Sequence, residues 1–180
     1  MLRIILTYGL ISGVVIIAAM AGTLVLNGGA PHANVWLGYL IMLVALSSIL
    51  VGVKQHRDQA LGGVIRFWPA LGIGLGIAVV ASIAYVLTWE VYLAVTDYDF
   101  IGDYTAQMLE AKRAAGVTGA AYDKAVAEME TMKAQYANPL FRMPMTFAEI
   151  FPVGLLISLV TAALVRNPRF LPARSRPVAA

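Results

Sequence analysis

Four long apolar runs, almost free of charge, constrain the fold of this chain more than any other feature. A helix needs about 20 apolar residues to cross the roughly 30 Å hydrocarbon core of a bilayer. The only charged members of the runs are Glu90 and Glu149. Because backbone polar groups in lipid must be paired within their own segment, each run is predicted to be a transmembrane helix. The runs cover residues 4–26, 35–53, 69–95 and 147–165.

Composition excludes the common alternatives to a membrane protein. Hydrophobic residues make up 60% of the 180 residues and charged residues 13%, against about 45–50% and about 25% in soluble domains. A soluble fold of this length has too little interior to bury so much apolar surface, and disordered chains are polar and charged. The absence of cysteine excludes disulfides and zinc or iron–sulfur thiolate sites. We therefore predict one all-α integral membrane domain, a four-helix transmembrane bundle over residues 1–180.

The distribution of lysine and arginine predicts the orientation of the bundle. The side that carries both termini has eight basic residues and one acidic residue, Asp58, whereas residues 96–146 carry five basic and seven acidic residues. We expect both termini, including the tail 166–180, in the cytoplasm of a bacterium and the bundle in its inner membrane. The basic side is expected to contact membrane lipids, and no nucleic-acid partner is implied. Its basic residues are Arg3, Lys54, Arg57, Arg66, Arg166, Arg169, Arg174 and Arg176.

The segment between spans three and four, about 97–146, is predicted to be an extracytoplasmic αα-hairpin. Its helices are expected at about 100–115 and 120–137, with Gly116 ending the first and Thr118 capping the second. Such a hairpin would stand off the membrane, lie on it or bind a partner. The apolar stripe of the second helix is predicted to contain Tyr122, Val126, Met129, Met132 and Tyr136. The stripe facing it is predicted to contain Tyr104, Met108 and Ala111 or Ala115.

Glu90, Arg142 and Glu149 form a candidate polar cluster near the outer ends of spans three and four. One arginine between two carboxylates would lower the cost of desolvating each of them, and the cluster would pin the base of the hairpin or bind a small polar ligand. A solvated interface position is the alternative for Glu90. Capping is the alternative for Glu149, because Thr146 and Glu149 have the spacing of a capping box. Pro152 is expected to kink the fourth span.

A second candidate site is the polar stretch KQHRD, in which Lys54, His56 and Arg57 are predicted to contact lipid headgroups or a cytoplasmic partner. The alternative is a simple anchor on the positive side of the membrane. His32 and His56 are expected on opposite sides and therefore cannot share a metal. No catalytic, cofactor or metal site is predicted. Small residues spaced four apart predict close helix packing, within the bundle or at a seam between copies.

Four stretches carry a resemblance to a known family: YGLISG at 8–13, YLIMLVALSSILVGVKQHRD at 39–58, GGVIRF at 62–67 and NPLFRMPMTFAEIFPVGLLISL at 138–159. Over about residues 3–166 the chain resembles the bacterial domain-of-unknown-function family DUF4199, small inner-membrane proteins with four predicted spans. The resemblance implies four spans with a helical outer insertion. It implies no reaction and no catalytic residues.

These patterns favour a non-enzymatic protein that organises or regulates envelope components through its outer hairpin. The alternative is a small oligomeric transporter or channel that uses Glu90 and Glu149. A membrane enzyme is disfavoured, because no predicted span holds a histidine, lysine, arginine or aspartate to serve a nucleophile. The expected partners are membrane lipids and either further copies of the chain or another membrane protein.

Overall fold

The computed structural model describes residues 1–26, 35–97 and 99–173, and the regular elements within these ranges are all helices. The predictions for the 27–34 loop with His32, and for Arg174 and Arg176 of the tail, lie outside the described residues. The helices are α1 (Leu2–Leu26), α2 (Val35–Leu46), α3 (Ser48–Ala60), α4 (Phe67–Thr96), α5 (Phe100–Ala114), α6 (Ala120–Tyr136) and α7 (Pro139–Val165).

Within the described residues, four helical segments are long and apolar enough to cross a membrane. The first is α1, the second is formed by α2 and α3 together, and the third and fourth are α4 and α7. The predicted all-α fold with four spanning helices is therefore confirmed. The helices extend beyond the predicted spans, because short polar stretches next to the apolar runs are also helical. The largest extensions are at the end of α3, which continues to Ala60, and at the start of α7, which begins at Pro139.

The second span is one helical rod with a local irregularity at Ser47. The Ser47 amide donates to the carbonyl of Leu43 at 3.0 Å, as in a continuous α-helix, and the Ser47 hydroxyl donates to the carbonyl of Val44 at 2.6 Å. The polar end of this rod is stabilised by an ion pair between Lys54 and Asp58, one turn apart. The rod therefore reaches Ala60, seven residues beyond the predicted end at residue 53.

The chain divides into two compact units, and α4 and α7 contribute residues to both. Unit 1 comprises Met1–Tyr85 and the described residues from Phe147 onward, and unit 2 comprises Val86–Thr146. The core of unit 1 is aliphatic, with several fully buried side chains from the second span, α4 and α7. These side chains are Leu46, Ile49, Ile73, Ile77 and Ile150.

Small residues allow the helices of unit 1 to approach closely, as the spacing predicts. A β-carbon at Gly9 would lie 2.5 Å from Val80, and one at Gly154 would lie 2.7 Å from the β-carbon of Ala78. The hydroxyl of Ser12, which is fully buried, donates to the carbonyl of Ala45 at 3.1 Å and so joins α1 to α2. Close backbone approach and hydroxyl hydrogen bonds are typical of helix packing in lipid, where burial of apolar surface no longer drives association.

The outer surface of unit 1 is strongly apolar. Large aliphatic side chains point outward along α1, the second span and α7, which is the reverse of a soluble bundle. This surface agrees with the membrane-spanning assignment. Examples are Leu10, Val14, Leu40, Val44, Leu156 and Val160.

Unit 2 contains α5 and α6, which contact each other and are joined by a tight turn. The end of α5 is a Schellman motif: Gly116, at φ 81°, donates to the carbonyl of Arg113, and Val117 donates to the carbonyl of Lys112. The prediction that Thr118 caps α6 is wrong. The N-cap is Gly119, at φ 60°, and no side chain caps the helix.

The buried face of α6 agrees only in part with the predicted stripe, and the buried face of α5 is rotated from the predicted one. On α6, Met129 and Tyr136 are buried as predicted, but Ala125, which lies outside the predicted stripe, is buried too. On α5 the buried residues are Ile101 and Thr105, whereas Tyr104 and Met108 are 40% and 37% exposed. The prediction missed Thr105 because it counted only apolar residues. The hydroxyl of Thr105 is satisfied by the carbonyl of Ile101 at 2.8 Å, so it can be buried at little cost.

Candidate functional site

Two of the three residues in the predicted polar cluster form a forked ion pair inside unit 2. The Nε of Arg142, in the first turns of α7, donates to Oε1 of Glu90 on α4 at 2.7 Å, and its Nη2 donates to Oε2. The side chains are only 16% and 20% exposed. Paired N–H···O contacts of this kind are among the stronger polar interactions in proteins. The pair fixes the start of α7 to the end of α4.

Glu149, the third predicted member, belongs to unit 1 and lies on the exposed side of α7. Its capping-box assignment is wrong, because α7 begins at Pro139 and Glu149 is therefore well inside the helix. The hydroxyl of Thr146 donates to the carbonyl of Arg142 at 3.0 Å, within the helix. A meeting of Glu149 with Glu90 and Arg142 would join the two units and stays a prediction.

The true start of α7 is set by Asn138 and Pro139. The side-chain oxygen of Asn138 accepts from the amide of Leu140 at 3.0 Å, as an N-cap does. Proline at the first helical position loses no hydrogen bond there. The fourth apolar run predicted a span that begins at Phe147. The helix instead continues across Arg142, whose charge is neutralised by Glu90.

Unit 2 also contains an aromatic cluster, which contacts this ion pair through Tyr136. Its members are Trp89, Tyr92, Phe100, Tyr104 and Tyr136. The indole of Trp89 donates to the hydroxyl of Tyr136 at 2.8 Å and lies edge-on to the ring of Phe100, with centroids 5.0 Å apart. The ring of Tyr104 stacks on that of Phe100 at 6.0 Å, and the ring of Tyr92 stacks on that of Trp89 at 5.5 Å.

Tyr136 connects the aromatic cluster to the ion pair. The guanidinium carbon of Arg142 lies 5.5 Å from the centroid of the Tyr136 ring, and its Nη1 donates to the Tyr136 carbonyl at 3.3 Å. An arginine over an aromatic face is attracted by the ring quadrupole. Arg142 therefore interacts with the last residue of α6 and with α4 at once, and these contacts brace the base of unit 2.

The position of Phe100 in the aromatic cluster depends on the start of α5. The carboxylate of Asp99 accepts from the amide of Gly102 at 2.9 Å, so Asp99 is the N-cap of the helix. The cap fixes the first turn, in which Phe100 lies against Trp89. The sequence predicted this helix start within one residue, but it gave no signal for the pairing of the two rings.

Unit 2 also holds an open groove of about 400 Å³ between α6 and the start of α7. Its lining includes the apolar side chains of Met132, Phe141 and Met145, which we call its floor, and polar side chains, which we call its edge. The edge pair Lys124 and Glu128 is 3.9 Å apart and well exposed, so it contributes little to stability. Sequence reasoning assigned Met132 to the hairpin interface and placed the 139–146 stretch outside any helix, so it missed this groove. The polar edge consists of Lys124, Glu128, Thr131 and Gln135.

The predicted lipid- or partner-contact residues of unit 1 lie in the last turns of α3. Lys54 and His56 are half-buried, but Arg57 is fully buried. The Nη1 of Arg57 donates to the carbonyls of Phe170, at 2.9 Å, and Val165, at 3.4 Å. Its Nη2 donates to the carbonyl of Leu171.

Arg57 thus acts inside the chain rather than at its surface. The last carbonyls of a helix have no partner within that helix, and Arg57 supplies donors to the end of α7 and to the segment that follows it. Its Nε is paired with Asp58 at 2.6 Å, so its charge is compensated. Residues 166–173 fold back onto α3 through these contacts. Nothing in the polar stretch KQHRD distinguishes the buried Arg57 from its more exposed neighbours, so its burial could not be predicted from the sequence.

These observations define the class of the chain: a protein whose described residues form helices as their regular elements, four of them long and apolar enough to cross a membrane. The chain belongs to the family described as "Protein of unknown function (DUF4199)", which it matches over residues 7–167. A comparison with curated proteins and one with solved structures find no match.

Proposed function

We propose that this chain is a non-enzymatic protein of the bacterial inner membrane that organises or regulates other envelope components through unit 2. The groove between α6 and the start of α7 carries this proposal. It combines an apolar floor with a polar edge, the composition typical of surfaces that bind other proteins. The contacts of Glu90, Arg142 and Tyr136 hold the two sides of the groove in place.

The length of the groove is suited to a short helical partner. The residues that α6 contributes recur every three or four positions from Lys124 to Gln135, which corresponds to about 16 Å along a helix. An amphipathic helix laid in such a groove buries its apolar face and leaves its polar face at the edge. The floor residues Phe141 and Met145 lie one turn apart on α7 and would contact successive turns of that partner.

The orientation belongs to the same proposal. Residues 96–146 carry more acidic than basic side chains. The described residues beside the two chain termini and in the loop between the second and third spans carry an excess of arginine. The positive-inside rule then supports cytoplasmic termini and a unit 2 that faces outward, into the periplasm. A partner for the groove would be another membrane or periplasmic protein.

The test compares complexes of the wild-type chain with those of a groove variant after mild extraction from native membranes. Met132→Lys places a charge on the groove floor, and Met108→Lys on the exposed face of α5 is the matched control. We expect the wild type and the control to migrate with one defined partner in a stoichiometric complex, and Met132→Lys to migrate without it. Isolation of the wild-type chain always alone, or equal retention by both variants, would overturn the proposal.

A second candidate function, a small oligomeric transporter or channel, is favoured by one observation. Glu149 is an acidic residue on the exposed side of α7, within a spanning helix, and acids in such segments are often functional. Glu90 is engaged by Arg142, so Glu149 would carry the transport role. Proton and cation flux into liposomes should then fall in Glu149→Gln and persist in the control Glu128→Gln. Equal fluxes in the two variants would reject this candidate.

A further inference from the structure

One end of unit 1 gathers the start of α1, the end of α3, the start of α4 and the end of α7. The hydroxyl of Tyr8 donates to the side chain of Gln55, so the first turns of α1 lie beside the last turns of α3. Arg57 connects the end of α3 to the end of α7 through the carbonyl of Val165. We call this the basic end of unit 1, because each of the four elements carries an arginine at or beside it. These are Arg3, Arg57, Arg66 and Arg166.

The segment after α7 is ordered against the basic end. The side-chain oxygen of Asn167 accepts from the amide of Arg169 at 3.0 Å, and the carbonyl of Asn167 accepts from the amide of Phe170 at 3.0 Å. These bonds form a compact turn, and the ring of Phe170 packs against the core of unit 1. A β-carbon at Gly63, in the loop before α4, would lie 3.4 Å from Ala173. The segment after α7, which carries Arg169, therefore approaches the loop before α4, which carries Arg66, at Ala173 and Gly63.

The charge of this end is left uncompensated within the described residues. Asp58, its acidic residue, is already engaged by Arg57 and Lys54. Four exposed arginines have no carboxylate within ion-pair distance in the described part of the chain. They are Arg3, Arg66, Arg166 and Arg169.

An exposed aromatic residue lies next to these arginines. Trp68, two residues after Arg66, is 76% exposed, and its ring meets that of Phe67 edge-on at 5.4 Å. Tryptophan at the end of a spanning helix prefers the level of the lipid headgroups, where its ring is half in hydrocarbon and half in water. This residue therefore indicates that the basic end lies at headgroup depth.

We propose that Arg66, Arg166 and Arg169 form a binding site for the phosphate of an anionic phospholipid, with Trp68 beside the lipid glycerol. The fork of an arginine matches phosphate geometry and keeps its charge at any physiological pH. Arg57 is a positioning residue in this site. It holds the Phe170 and Leu171 carbonyls and so fixes the turn that presents Arg169. The site is independent of the partner proposed for the groove in unit 2.

The experiment measures lipids retained by the full chain in mild detergent, by native mass spectrometry, with equal amounts of phosphatidylglycerol and phosphatidylcholine. We expect the wild type to prefer phosphatidylglycerol, with a loss of roughly fivefold for each arginine removed. The triple variant R66Q/R166Q/R169Q should show no preference. The control K112Q/R113Q/K133Q removes the same charge from unit 2 and should retain the preference. Equal retention of both lipids by the wild type, or the same loss in both triple variants, would overturn the proposal.

Two further arms separate the lipid from a free anion and test the ordered turn. Inorganic phosphate at 100-fold molar excess over the lipid should leave phosphatidylglycerol bound. Displacement by phosphate would overturn the assignment to a lipid and indicate a general anion site. Asn167→Ala removes the side-chain bond of the turn, at an exposed position. It should reduce the lipid preference while leaving the thermal unfolding midpoint unchanged. An unchanged preference would show that the turn does not position Arg169.

Discussion

At the scale of single residues, arginines with similar sequence surroundings have different roles. Arg57 and Arg142 both border apolar runs; Arg57 was predicted to contact lipid headgroups or a partner, and Arg142 to lie between two carboxylates. Arg57 is fully buried among backbone carbonyls, and Arg142 forms a fork with Glu90. The pairing of Glu90 with Arg142 was predictable, because their charges are opposite and both lie near the outer ends of neighbouring spans. The burial of Arg57 was not predictable, because it depends on where the chain turns after α7.

The fork between Glu90 and Arg142 predicts a measurable coupling. Glu90→Gln and Arg142→Gln should each lower the stability of unit 2 by roughly 1.5–3 kcal/mol, since each leaves a mostly buried charge without its partner. The double variant should lose less than the sum of the two. Thermal unfolding in detergent, followed by the fluorescence of Trp89 beside the pair, measures the effect.

Glu128→Gln is the control for this coupling, because its ion pair with Lys124 is exposed and contributes little. Its midpoint should match the wild type. Strictly additive losses in the double variant would show that the fork is not an energetic unit.

At the scale of elements, the sequence predicted which segments are helical better than where they begin. Runs of apolar residues long enough for a bilayer leave few alternatives to a helix. The ends of these helices depend on capping residues and ion pairs outside the apolar runs, so the runs alone do not predict them. Two polar patterns, Thr146 with Glu149 and Thr118 alone, suggested caps that the structure does not use. Asn138 supplies the cap of α7, eight residues before the predicted one.

This difference predicts a larger loss of stability for a substitution at the N-cap of α7 than for one inside the helix. Asn138→Ala should destabilise unit 2 by about 0.5–2 kcal/mol, because the amide of Leu140 loses its acceptor. Thr146→Ala should have a much smaller effect, because its hydroxyl only adds a second donor to a helical carbonyl. Hydrogen exchange in the first turn of α7 should accelerate in Asn138→Ala alone. Faster hydrogen exchange of the amides of residues 147–150 in Thr146→Ala would instead support a capping box formed by Thr146 and Glu149.

Two glycines of α4 provide a test of close helix packing. A β-carbon at Gly74 would lie 2.9 Å from the β-carbon of Ser158, which is fully buried, whereas one at Gly72 would have no neighbour within 4 Å among the described residues. Gly74→Ala should therefore cost roughly 1–3 kcal/mol through overpacking. Gly72→Ala should be neutral or stabilise the helix by up to about 1 kcal/mol. Thermal unfolding of both variants in the same detergent measures this difference, and equal midpoints would contradict the packing of α4 against α7.

At the scale of the whole molecule, the two units differ in the surface that they expose. Unit 1 exposes aliphatic side chains along its spanning helices, whereas α5 and α6 of unit 2 expose many charged side chains. This contrast is what the apolar runs and the charged 97–146 segment predict. The groove was not predictable, since it joins α6 to a part of α7 that was not expected to be helical. The gathering of basic residues on one side was predicted, but the ordered turn that carries Arg169 was not.

The orientation of the chain is the last prediction, and the absence of cysteine makes it simple to test. Thr118→Cys and Gln59→Cys each place one thiol at an exposed position, the first in unit 2 and the second at the end of α3. Because the basic end should remain in the cytoplasm, an impermeant maleimide should label Thr118→Cys in spheroplasts. It should label Gln59→Cys only after lysis. The wild type, which has no thiol, controls for background, and the reverse pattern would show that the excess of arginine does not set the topology.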